Sequence, residues 1–215
     1  MEKALRGTFL DIHSSNESTI RPANGLLIQA LQYLVQSACH GNEHYSHMLD
    51  CWASELEKDV EMACQGEKGR KYMVLLNNTF GVLQIMSRQG ASFSNAELVV
   101  TSMLQRYKKS YFDEYWVPLK NTLQFNLDNF TAEFLSICDK QRTWKVTAEL
   151  KYELRQEIVD LIVPAYKTSL SALQANRSRL SAVLCSFKRD TAGKKKQKKY
   201  TGHELEEEIK ALFEG

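Results

Sequence analysis

The stretch Phe134–Leu170, FLSICDKQRTWKVTAELKYELRQEIVDLIVPAYKTSL, decides how this chain is read. Its second half places Leu150, Leu154, Ile158, Leu161, Ile162 and Ala165 at steps of four, four, three, one and three. Those steps draw one apolar stripe along an α-helix of about 3.6 residues per turn. Lys151, Glu153, Gln156, Glu157 and Asp160 fall on the other face. Pro164 lies inside the pattern, where a proline removes a backbone donor and clashes with the preceding turn. The expectation is a helix that kinks at Val163 or is split in two. The stretch displays no catalytic group and reads as packing sequence.

Composition extends this reading outward. The 215 residues suffice for one domain, and 43% hydrophobic against 25% charged residues allows a substantial core. Only 3 Pro and 10 Gly punctuate the chain, which favours long helices over a sandwich or barrel. Helical patterns recur. Pro22 opens a helix with Leu26, Leu27, Ala30, Leu31, Leu34 and Val35 on one face, stopping near Gly41. His44–Cys64 forms a second, with His47, Met48, Cys51, Trp52, Leu56, Val60, Met62 and Ala63. Gln65–Lys68 links it to Arg70–Met86, with Tyr72, Leu75, Leu76, Phe80, Leu83 and Ile85. Asn77 and Asn78 sit mid-helix, where asparagine needs a local reason such as a hydrogen bond to a neighbouring helix.

After a break at Gly90–Ser94, residues 96 to about 123 carry Met103, Tyr107, Tyr111, Tyr115 and Leu119, with a bend expected at Pro118. The tyrosine stripe reads as core with wet hydroxyls rather than as a base-stacking platform. Residues 127 to about 140 follow, with Phe130, Phe134, Ile137 and Cys138 inward. Beyond Leu170 the pattern resumes through Leu173, Leu180, Val183, Leu184 and Phe187. A last helix opens at Thr201, whose T-x-x-E spacing to Glu204 is a capping box, and is expected to end at Gly215. No strand pattern occurs, so the fold class is all-α.

Several functions are set aside. There is no phosphate loop, nucleophile elbow or dinucleotide fingerprint, so an enzyme is not expected. Cys39, Cys51, Cys64, Cys138 and Cys185 form no C-x-x-C pair and read as buried thiols of a reducing compartment. His40, His44 and His47 are near one another, but no acid completes an H-E-x-x-H motif, and Gly41 interrupts the helix. No metal or other cofactor is expected. No apolar run approaches the roughly 18 residues of a membrane span, and the first residues do not form a signal peptide.

One stretch remains for function. Lys188–Tyr200, KRDTAGKKKQKKY, holds seven basic residues and one Asp, a local balance of +6 in a chain whose net charge is +2. Lys194, Lys195, Lys196, Lys198 and Lys199 cannot neutralise one another. They are either simply solvated, or set against nucleic-acid phosphate or a nuclear-import receptor, or set against anionic lipid at about 1 kcal/mol per residue near the surface. Five such contacts make a reversible attachment of a few kcal/mol. The loop's chemistry alone does not choose between lipid and nucleic-acid phosphate.

Landmarks elsewhere carry a resemblance. Phe134-x-x-Ile137, Gln141-x-x-Trp144-x-Val146, Glu149-Leu150, Leu154-Arg155 and Pro164-Ala165-Tyr166 follow in the order and near spacing of one family. They resemble the C-terminal helical region of the exocyst seventy-kilodalton subunit family, in its plant-like branch. Tyr72 followed by Leu76-Asn77-Asn78 is similar to that family's Tyr-Leu-x-x-Met-Asn-Asn segment, and Ile20-Arg21-Pro22 to its short His-Pro lead-in. Lys199-Tyr200-Thr201, Leu205 and Phe213-Glu214-Gly215 resemble its final helix.

The resemblance implies an elongated rod of stacked antiparallel helical bundles over residues 1–215, with 1–90 and 91–215 as sub-bundles and 188–200 as a basic loop. It also implies a tethering subunit in exocytosis, cytoplasmic and peripheral at the plasma membrane. There it would bind phosphatidylinositol 4,5-bisphosphate through Lys196 and Lys199, with Lys194, Lys195 and Lys198 additional in this chain. Expected partners are other exocyst subunits, Rho-type small GTPases or pathogen effectors, and no nucleic acid. Family members are much longer, so this chain corresponds to their C-terminal part. The segment from Pro164 to Tyr200 is longer than usual, and the proline that commonly follows Trp-x-Val is missing. Two alternatives stand beside this reading: a plant immune adaptor or effector target without tethering, and a nucleic-acid-binding helical domain.

Overall fold

The computed structural model describes residues 43–64, 66–88, 94–124, 126–184 and 200–214. The helix expected from Pro22 to Gly41 lies outside these residues. The described residues form six α-helices: α1 (Glu43–Cys64), α2 (Lys68–Arg88), α3 (Ser94–Thr122), α4 (Leu127–Arg142), α5 (Ala148–Leu184) and α6 (Gly202–Lys210). The fold is all-α. None of these helices is long and apolar enough to cross a membrane.

Contacts divide the chain into two compact units. One holds residues 1–114 and 145–150, the other residues 115–144 and 151–215. In the first, α1 and α2 pack against each other. Glu61 near the end of α1 pairs with Lys71 near the start of α2, as in a helical hairpin. Gly66 turns the chain between them at φ +87°, a conformation that glycine adopts without a Cβ penalty. The buried stripe of α1 is Leu49, Trp52, Ala53, Leu56, Val60 and Cys64. It is rotated from the expected one: Cys51, Met62 and Ala63 are exposed, because they step off the 49–52–56–60 face.

The asparagines of α2 have local reasons. Asn77 is buried, and its Oδ1 accepts the backbone N–H of Thr147 at 2.9 Å, just before α5 begins. A helix start leaves such donors without intrahelical partners, so the asparagine satisfies one of them. Asn78 Nδ2 donates to the Val74 carbonyl at 2.8 Å. In α3, Tyr107 and Tyr111 are buried, as the core reading requires. The Tyr107 hydroxyl donates to Glu57 Oε1 at 2.6 Å, and Arg106 reaches the same oxygen at 2.7 Å. Burial, then the bond to Glu57, pushes the Tyr107 hydroxyl up to about 12.

The second unit is built on aromatic rings. Trp116, Phe130, Phe134 and Tyr166 are fully buried. Phe130 stacks on Phe134 with ring centroids 5.8 Å apart and meets Tyr166 at 5.5 Å. Leu154, Ile158 and Ile162 of α5 and Leu205 and Ile209 of α6 are buried in the same unit. Asn126 caps α4, accepting from the N–H groups of Asp128 and Asn129. Burying each large side chain contributes about 1.5–3 kcal/mol.

Of the two outcomes expected at Pro164, a kink or a split, the split does not occur: α5 runs unbroken from Ala148 to Leu184. Pro164 is exposed, and so is Asp160, whose carbonyl loses its helical donor. Water can reach that carbonyl on the outer face. Meanwhile Ile162, Val163 and Tyr166 stay buried and hold the turn in place. The proline of α3, Pro118, is likewise exposed, and α3 continues past it to Thr122. Beyond Leu170 there is no interruption to resume from, although Ser171–Asn176 are all exposed.

The last helix is shorter than expected. It stops at Lys210 rather than Gly215, with Ala211 as its C-cap. Phe213 then adopts φ +60°, a left-handed conformation that costs a non-glycine residue roughly 1–3 kcal/mol. The turn is held by burial of the Phe213 ring and by its N–H donating to the Gln141 carbonyl at 3.3 Å.

Candidate functional site

Lys194, Lys195, Lys196, Lys198 and Lys199 lie outside the described residues. What the structure describes is the ground on either side of them: α5, which ends at Leu184, and the chain from Tyr200 onward.

Tyr200 is bonded to the bundle. Its carbonyl accepts the hydroxyl of Tyr166 at 2.8 Å. The Tyr166 ring is buried against Phe130, and burial raises its hydroxyl above the ordinary tyrosine range. One residue later the expected capping box is present in full. Glu204 N–H donates to Thr201 Oγ1 at 3.1 Å, and Thr201 N–H donates to Glu204 Oε2 at 2.7 Å. Leu205 and Ile209 then carry α6 into the core. Gly202 passes so close to the Lys167 side chain that a Cβ there would collide with its Cε.

The acids that follow are all engaged. Glu206 pairs with Lys167 at 3.8 Å, and Glu208 with Arg142 at 2.9 Å. Glu207 pairs with Lys210 at 2.8 Å, with His203 3.9 Å away. The bond from Lys210 holds the Glu207 carboxyl below the usual range and raises the lysine in turn. Arg155 donates to the Leu212 carbonyl and to Glu214, with Lys151 3.8 Å from the same carboxylate. The bond from Arg155 lowers the Glu214 carboxyl. Each exposed pair contributes little to stability. Their effect on the site is electrostatic: the carboxylates that follow the lysine run in sequence already face cations of the bundle.

The remaining sequence candidates do not assemble. His40 lies outside the described residues, as do Cys39 and Cys185. His47 Nδ1 is 3.7 Å from Cys51 Sγ, an exposed contact along α1. Among the described residues no three His, Cys, Asp or Glu side chains group as metal ligands. Cys51 corrects the buried-thiol reading, since it lies on the outer face of α1, whereas Cys64 and Cys138 are buried. Burial pushes the Cys138 thiol up to about 12, which keeps it protonated and inert.

Sequence reasoning missed Tyr166 and Arg155 as site-building residues. Both stood in landmarks, Pro164-Ala165-Tyr166 and Leu154-Arg155, but no spacing rule says that a hydroxyl or guanidinium will meet a backbone carbonyl 34 or 57 positions away.

Comparison with known families places the chain. The family described as the C-terminal region of the Exo70 exocyst complex subunit matches residues 11–211, nearly the whole chain. Among curated proteins none matches it. The matched region includes the Tyr166–Tyr200 junction and the run 188–200 between its partners. With an all-α fold and a match of that extent, the chain belongs to the family of Exo70 exocyst complex subunits, through their C-terminal region.

Proposed function

We propose that this chain is an exocyst-type tethering module that attaches reversibly to a phosphoinositide-bearing membrane through Lys194, Lys195, Lys196, Lys198 and Lys199. One observation carries the reading: a run of +6 local charge lies inside a tethering-subunit match, beside acids already paired with other cations. Five lysines of like charge within six positions favour a multiply charged anion, and a phosphoinositide headgroup presents several phosphates in one small area. The helical surfaces then serve other exocyst subunits and small GTPases of the Rho type. The working place is the cytoplasmic face of the plasma membrane.

Vesicle sedimentation tests this. The full chain is expected to pellet with vesicles containing phosphatidylinositol 4,5-bisphosphate, less with neutral vesicles, and less again as salt rises past the point where exposed charges are screened beyond about 10 Å. Failure to pellet at low salt would remove the lipid reading. Tighter binding to duplex or single-stranded nucleic acid at physiological salt would replace it with the nucleic-acid one.

A further inference from the structure

We propose that residues 211–214 form a strap that opens independently of the helices it lies against, with Arg155 as its latch. The strap follows α6 and touches α4 and α5. Phe213 N–H donates to the Gln141 carbonyl at 3.3 Å, and Glu214 N–H to the Arg142 carbonyl at 3.0 Å. Both carbonyls belong to the last turn of α4, where the helix supplies no donors of its own. The side chains of Leu212 and Phe213 are buried. Arg155 of α5 donates through Nε to the Leu212 carbonyl at 3.0 Å, and through a terminal nitrogen to that carbonyl and to the Glu214 carboxylate. All of these residues lie in one unit.

Two features make this segment a conformational device. The first is strain. Phe213 holds φ +60°, a backbone that a residue with a Cβ disfavours, so the closed strap is kept shut against a local tendency to leave that shape. The second is that the polar restraints converge on one side chain. A single guanidinium holds the carbonyl before the strained residue and the carboxylate after it, and bonds from a charged donor are stronger than neutral ones. Lys151 stands 3.8 Å from the same carboxylate and adds charge. Glu214 is exposed and Arg155 half-buried, so the latch sits at the edge of the core and can part without unpacking it. Opening frees the Arg142 carbonyl and brings two apolar side chains, Leu212 and Phe213, to the surface. Segments that move in this way are drawn from the least stable parts of a fold.

Hydrogen exchange, followed amide by amide in the full chain, tests the strap. The Phe213 and Glu214 amides are expected to exchange together, slower than in an unstructured chain but at least about tenfold faster than those of Ile158 and Ile162 in α5. Arg155→Ala should speed the two strap amides a further ten- to hundredfold or so, the equivalent of losing a charged hydrogen bond, and leave Ile158 and Ile162 unchanged. Glu214→Gln removes only the exposed charge pair and should speed them about two- to fivefold. Strap amides that exchange in step with Ile158 and Ile162 would show that the segment opens only when the unit unfolds, and would overturn the proposal. Strap amides as fast as an unstructured chain would overturn the closed form, and a change under about twofold in Arg155→Ala would overturn the latch. Should Arg155→Ala fail to fold, Glu214→Gln decides: faster strap exchange at constant Ile158 supports the latch, and an unchanged rate overturns it.

Discussion

Changing Lys194, Lys195, Lys196, Lys198 and Lys199 together to alanine is expected to abolish phosphoinositide binding without destabilising the fold. Each lysine near an anionic surface contributes about 1 kcal/mol, so the five together account for a few kcal/mol, a loss on the order of a hundred- to a thousandfold in affinity. The formal net charge passes from +2 to −3, so general attraction to anionic lipid turns to weak repulsion. Folding should be indifferent or slightly favoured, because five neighbouring like charges repel one another. Vesicle sedimentation reads the first effect and thermal unfolding the second. Binding that survives the substitution would place the lipid contact elsewhere; a matching collapse in unfolding temperature would show that the lysines hold structure.

Phe130→Ala is expected to have the largest effect on stability. Phe130 has 0% exposure and touches two other rings, Phe134 and Tyr166. Truncating a buried phenylalanine costs about 3–5 kcal/mol, through lost transfer energy and the cavity left behind. That is a large share of the roughly 5–15 kcal/mol that stabilises a domain. The loss should fall on the unit formed by residues 115–144 and 151–215, and it should loosen Tyr166 as well. Denaturant unfolding followed by tryptophan fluorescence measures it, because Trp116 and Trp144 both belong to that unit. A loss under about 1 kcal/mol would mean that the ring cluster is not the core of that unit.

Most of the helices were legible in advance because a 3.6-residue stripe follows directly from which positions must be buried together. Leu150, Leu154, Ile158 and Ile162 are all buried as that stripe requires. The phase was less legible where two stripes compete. In α1, Cys51 and Met62 are apolar enough to be counted inward, yet Leu49, Trp52, Leu56 and Val60 take the buried face. Pro164 left a kink and a split as alternatives, because the cost of a proline depends on whether the orphaned carbonyl meets water, and one helix read alone does not say which face that is. The end of α6 was missed because the turn at Phe213, φ +60°, is held by the Gln141 carbonyl on the Phe213 N–H and by Arg155 on the Leu212 carbonyl, both distant in the chain. The capping box was read correctly because all of its partners lie within three residues. The lysine run was visible as charge alone. The bond from the hydroxyl of Tyr166 to the carbonyl of Tyr200 was not visible, since a backbone acceptor leaves no mark in sequence.

The most direct test of the central claim is to watch the lysines themselves. In the full chain carrying isotope-labelled lysine, the soluble headgroup of phosphatidylinositol 4,5-bisphosphate should shift the magnetic-resonance signals of Lys194, Lys195, Lys196, Lys198 and Lys199. It should leave unmoved those of Lys71 and Lys210, which are held by Glu61 and Glu207. Shifts confined to lysines outside the run, or no shift at saturating headgroup, would contradict the account.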